Sequence, residues 1–195
     1  MNRQDKLDHL KRLTDETAIL RRSLMEYGNQ LLDIADLMAG VIGSGHKIMF
    51  AGNGGHAAMS SHFATELIVR LTAERNRPSL PAIALSADSG IITAAANDYG
   101  YDEVFARQVE GLGQKGDLLV VMSTSGNSAN LVKGVRMARQ RGVLTCGLLG
   151  GRGGKLRGIV DRSILIPNDS PQRIQEEHLF LVHILVEMIE SDLFA

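Results

Sequence analysis

The chain has 195 residues, 44% hydrophobic and 22% charged, which suits one globular domain with a full-sized core and is short for two. A formal net charge of −1 gives no overall attraction to nucleic acid or an anionic membrane, and 4% aromatic residues with no tryptophan leave no base-stacking platform. The single cysteine, Cys146, excludes an intrachain disulfide and, set in an apolar run, predicts a buried thiol in a reducing compartment.

The opening stretch MNRQDKLDHLKRLTDE has no apolar signal core, and no later apolar run nears the ~20 residues of a membrane span, so a cytoplasmic location is expected. Leu7, Leu10, Leu13, Leu20, Leu24 and then Leu31 to Val41 predict two helices over residues 3–44, breaking near Tyr27-Gly28-Asn29 and ending at Gly43-Ser44-Gly45. The leucine stripe of the first helix is thin for a core helix. It suits packing on another subunit or across the sheet, with a surface helix docked on its own domain as the alternative.

Lys47 to Ala51 reads as a buried strand entering the turn Gly52-Asn53-Gly54-Gly55 and then a helix. Glycines admit an anion close to the backbone, and the unpaired N–H groups at the helix start point toward it. That helix carries His62 and Glu66 one turn apart, either a proton-handling or metal-binding pair or a solvent-facing pair.

Further strands are predicted at Pro81 to Ser86, Asp117 to Met122, Val143 to Leu149 and Ser163 to Pro167. Between them fall helical stretches ending at Asn97, Leu112 and Gln140, and the Gly-rich turn GGRGG; a last helix spans Ser170 to Asp192. Apolar strands separated by helices predict a single α/β domain, a mainly five-stranded parallel sheet between two helical layers. Residues 1–44 form its helical extension and 45–195 its core. Ligands in such folds lie beyond the carboxyl ends of the strands, where both polar turns fall.

The second of these turns, Ser123-Thr124-Ser125-Gly126-Asn127-Ser128, ends a strand and opens a helix. Four hydroxyls around a glycine fit an anion site; a mere helix N-cap at Ser128 or Asn127 needs only one such residue. No Gly-Lys-Ser/Thr follows, which disfavours nucleotide hydrolysis. In the last helix Gln175 and His183 stand about 80° apart and can share a cleft, and His178 competes for that role. A histidine satisfied by a backbone carbonyl is the alternative.

The stretches AGNGG, HFATEL, RPSLPAIAL, ANDYGYDEVFARQVEGLG, GDLLVVMSTSGNSAN and RIQEEHLFLVHIL resemble the sugar isomerase (SIS) superfamily, and within it the sedoheptulose-7-phosphate (phosphoheptose) isomerases, over nearly the whole chain. The resemblance implies a SIS-type αβα sandwich, a homotetramer with active sites between subunits, and conversion of sedoheptulose 7-phosphate to D-glycero-D-manno-heptose 7-phosphate through an enediol, for surface glycans such as lipopolysaccharide. It implies that His62, Glu66, Gln175 and His183 face one another around zinc, with Glu66 as base and His183 as acid. It further implies that Ser123, Ser125 and Ser128 bind phosphate, that Asn53, Asp98 and Thr124 orient the sugar, and that Gly54, Gly55, His56 and Gln175 line its site. His56 departs from the family's serine and is expected either to place positive charge beside the phosphate or to crowd the site; Met59 and Ser61 replace its aspartate and glutamine. A non-catalytic SIS protein binding a sugar phosphate or the replication initiator is the alternative, and the complete quartet favours the enzyme.

Overall fold

A computed structural model describes residues 1–194. Ala195, the last residue of the expected core, lies outside them. The elements follow as α1 (Arg3–Ser23), a 3₁₀ turn (Leu24–Tyr27), α2 (Gly28–Gly43), β1 (Ile48–Gly52), α3 (Gly55–Ile68), β2 (Ala82–Ala84), α4 (Ser89–Tyr99), a 3₁₀ turn (Tyr101–Glu103) and α5 (Val104–Leu112). Then come β3 (Leu118–Ser123), α6 (Ala129–Gln140), β4 (Leu144–Gly150), α7 (Gly154–Arg157), β5 (Arg162–Ile166) and α8 (Pro171–Phe194).

The five strands form one parallel sheet in the order β2-β1-β3-β4-β5. Alternate side chains point to opposite faces, so β1 sends Ile48 and Phe50 to one side and Met49 and Ala51 to the other. The first face packs under α2, α3 and α8; the second packs under α4, α5 and α6, giving three layers. Chain winding reverses between β1 and β3, which are direct neighbours with Gly52 opposite Met122. That register sets the turns beginning at Asn53 and Ser123 side by side, at the switch point where such sheets take ligands.

Three expectations shift. The break between the first two helices is a 3₁₀ turn over Leu24–Tyr27, and Gly28 already belongs to α2. The second strand is only three residues long, as befits an edge strand paired on one side and entered from Pro81, which has no N–H to give. The GGRGG stretch leads into the short helix α7, whose Lys155 and Leu156 N–H groups bond the Asn127 side chain and the Gly126 carbonyl. Gly126 has φ +64°, and a Cβ there would lie 2.0 Å from the Gly153 carbonyl oxygen, so the brace requires glycine.

Helix α1 stands largely off the body. Leu7 and Leu10 are 51% and 60% exposed, and the helix is anchored near its end by buried Leu20 and by Arg21, which donates twice to the buried Glu177 of α8. Leu193 and Phe194 are partly buried against the chain's own core. Among the described residues no helix is long and apolar enough to cross a membrane.

Candidate active site

Gly52 ends β1 and turns the chain so tightly that a Cβ would come 2.5 Å from that of His56. Gly54 then takes the N-cap of α3 with φ +55°, and no side chain caps the helix. Across the switch point Ser123 and Ser125 fold their own loop, their hydroxyls accepting from the Gly126 and Asn127 N–H groups at 3.0 and 3.2 Å. Ser128 holds the N-cap position of α6, yet its hydroxyl makes no capping bond. Two helices thus present uncapped N-termini to one place, which favours an anion over the simple capping role. Between them lies a cavity of about 80 Å³ lined by Asn53, His56, Ser123, Thr124, Ser125, Ser128 and Gln175, over Met122 and Leu131. A broader cleft of about 360 Å³ shares Thr124 and Ser125 and opens toward Arg152 and Asp169.

Asn53 is held rigidly. It exchanges side-chain hydrogen bonds with Asn130, both at 2.9 Å, and its oxygen also accepts from the Tyr101 hydroxyl at 3.0 Å. One amide N–H of Asn53 remains for a ligand. Asp98 is exposed, accepts from Asn97 and does not line the cavity; of the NDYGY block it is Tyr101 that reaches the site, because the 3₁₀ turn at Tyr101–Glu103 swings that ring toward Asn53. Tyr101 and Asn130 were both visible in the motifs, but no spacing rule marks them as partners of Asn53.

Further along α3, His62 Nε2 lies 2.9 Å from His183 Nε2 of α8 and 3.5 Å from a Glu66 oxygen. All three side chains are partly buried, and one ligand atom from each lies within 4.8 Å of the others. Two imidazoles and a carboxylate so grouped are a donor set that fits zinc, with a position left open for another ligand. The fourth expected member, Gln175, lines the cavity, where a Cβ on Gly55 would sit 2.9 Å from its Oε1.

His178 takes a different partner. It is fully buried, and its Nδ1 lies 2.8 Å from Nε2 of buried His56, while its own Nε2 has no hydrogen-bond partner. Burial pushes His56 down to about 4. It pushes His178 down to about 3, with the neighbouring His56 acting in the same direction. Both are neutral at neutral pH, so His56 lines the cavity without the positive charge expected of it. Met59 sits in the apolar core, and the Ser61 carbonyl accepts from the Thr65 hydroxyl.

The SIS domain family model matches residues 13–150. The phosphoheptose isomerase of Trichlorobacter lovleyi is 43% identical over 185 residues, 95% of this chain and 93% of that protein. Among solved structures, phosphoheptose isomerases of Neisseria gonorrhoeae (34% identical, TM-score 0.88) and Francisella tularensis (32%, TM-score 0.91) each align with 95% of this chain and 98% of theirs. Matches of this identity, carried along nearly the full length of the relatives, place the chain in the SIS-domain family, among the phosphoheptose isomerases.

Proposed function

We propose that the protein is an aldose-ketose isomerase that converts sedoheptulose 7-phosphate to D-glycero-D-manno-heptose 7-phosphate. The observation that carries the reading is the layout along α3. The anion cradle sits at its N-terminus, and His62 lies seven residues on, about 10 Å along the axis. An extended seven-carbon chain with its ester phosphate spans about the same distance at ~1.5 Å per C–C bond. A phosphate held by Ser125, Ser128 and the two helix N-termini therefore brings C1 and C2 toward Glu66 and His183.

Glu66 takes the proton from C1 of the ketose, and the electrons of that bond form the C1–C2 double bond while the C2 oxygen takes a proton from His183. Glu66 then returns its proton to C2, and the C1 oxygen gives its proton to His183, leaving an aldehyde at C1. The 2.9 Å contact with His62 orients the His183 ring. His62, Glu66 and His183 would hold zinc, with Gln175 the fourth ligand that the family resemblance implies. Bound there, zinc would polarise the carbonyl and stabilise the charge of the enediolate. A carboxylate bound to a metal is a weaker base, so full occupancy and the base role of Glu66 pull against each other.

A homotetramer with sites completed between subunits accords with the exposed leucines of α1, and a cytoplasmic sugar phosphate accords with the single buried thiol. The test is Glu66→Gln, followed by NMR of sedoheptulose 7-phosphate with and without zinc. Turnover should fall about 10²- to 10⁴-fold with sugar-phosphate binding retained. Normal isomerisation by the mutant sinks the assignment, and a wild-type protein that binds without turnover is a sensor or adaptor.

A further inference from the structure

We propose that Arg77, paired with Glu190, is a positioning residue that sets where Glu66 stands relative to His183; this rests on the reading of Glu66 as the base. Helices α3 and α8 run side by side in one register. His56 meets His178 and His62 meets His183 at sequence separations of 122 and 121. The register ends at Arg77, in the segment after α3. Its Nη2 donates to the Glu66 carbonyl and its Nη1 to the Leu67 carbonyl, both at 2.7 Å, while Nε donates to Glu190 Oε1 of α8, also at 2.7 Å.

The carbonyls of the last turn of a helix have no intrahelical partner and ordinarily turn to water. Here a guanidinium whose side chain is 1% exposed takes two of them, and the Leu80 N–H adds a bond to Leu67. The last turn of α3, which bears Glu66, is thereby tied to α8. Glu190 is seven residues beyond His183, within about 20° of the same helix face, so the tie lies on the seam that joins His62 to His183. Lysine cannot replace this fork, because it presents one point charge where three diverging acceptors must be met. A reacting carboxylate displaced by about 1 Å can cost on the order of 10²-fold in rate.

Removing Arg77 alone strands the buried Glu190 carboxylate and can unfold the chain, so the deciding variant is Arg77→Met with Glu190→Leu. Replacing a buried ion pair by apolar groups of similar shape commonly leaves stability unchanged. The tie to the Glu66 carbonyl is lost all the same. We expect kcat to fall at least ten-fold, KM for sedoheptulose 7-phosphate to stay within about two-fold, and the protein to stay folded with a melting temperature lowered by the helix-end carbonyls left unpaired. Glu190→Gln keeps an acceptor for Arg77 Nε and should keep most of kcat. Imidazole ¹⁵N NMR supplies a readout without turnover: the double variant should move the His62 and His183 signals and leave those of His56 and His178 in place. Unchanged kcat together with unchanged imidazole signals overturns the proposal, as does a kcat loss matched by an equal rise in KM. If the wild type does not isomerise, the functional reading fails, and the NMR comparison still decides whether Arg77 positions the seam. Should the double variant not fold, Arg77→Lys is judged by the same kcat, KM and NMR criteria.

Discussion

Acid should destabilise this protein through one identifiable pair, His56 and His178. Both are neutral when folded, held near about 4 and about 3 against an ordinary 6.5. An unfolded chain binds protons at both sites once the pH drops below 6.5, whereas the folded chain does not. Their contribution is therefore complete above that value and lost as pH falls from 6.5 toward 3. At about pH 5 the unfolded form gains roughly 2 kcal/mol per histidine, or about 4 kcal/mol for the pair. That is a large part of the 5–15 kcal/mol typical of a folded domain, taken as an order of magnitude.

Carboxylates titrate over the same range, so the informative quantity is a difference of differences. Urea unfolding of the wild type and of His56→Ser, at about pH 7.5 and about pH 5 and at one protein concentration, isolates it. The variant should lose about 2 kcal/mol less than the wild type on acidification, because one buried histidine no longer competes for a proton. Equal losses in the two proteins would refute the claim that His56 is buried and neutral.

Gly55→Ala should act on the site more than on the fold. Its new methyl first meets the flexible end of Gln175, so melting should shift little while KM rises about ten-fold, equivalent to about 1.4 kcal/mol; an unaltered KM would mean that Gln175 does not touch substrate. Cys146 is fully buried and pushed up to about 12 by that burial, with the Asp161 charge adding to it and Arg162 and a Gly147 N–H opposing. A thiol reagent at neutral pH should leave it unmodified in the native protein and label it in urea, and rapid native labelling would contradict the packing.

The sheet was legible because its central strands are unbroken apolar runs, and the cradle because glycines and hydroxyls cluster where strands give way to helices. Burial was harder to read. His56 follows four polar or glycine residues and looks exposed in the sequence, but the tight turn at Gly52 folds it inward against α8. Spacing could not separate His178 from His183. The two are five residues apart, about 140° around the helix, so one meets His56 and the other meets His62. Tyr101 reaches Asn53 through a 3₁₀ turn that has no sequence signature. The helix α7 escaped notice because glycines at 153 and 154, in left-handed backbone, mask it, and it forms only against the serine loop it braces.

The position of α8 in the chain bears on how the protein is made. Synthesis proceeds from the N-terminus, so the sheet face bearing Ile48, Phe50, Val120, Met122 and Leu148 is translated well before the helix that closes it with Leu181, Val182, Leu185 and Val186. Until residues 171–194 emerge, α2 and α3 cover only part of that face, and the part that α8 closes is open to other nascent chains and to whatever holds them apart. A ribosome that stops early releases a product that lacks Gln175 and His183 and is adhesive as well. Loss of activity and exposure to degradation are thus coupled in every such fragment, and few partly working molecules should accumulate.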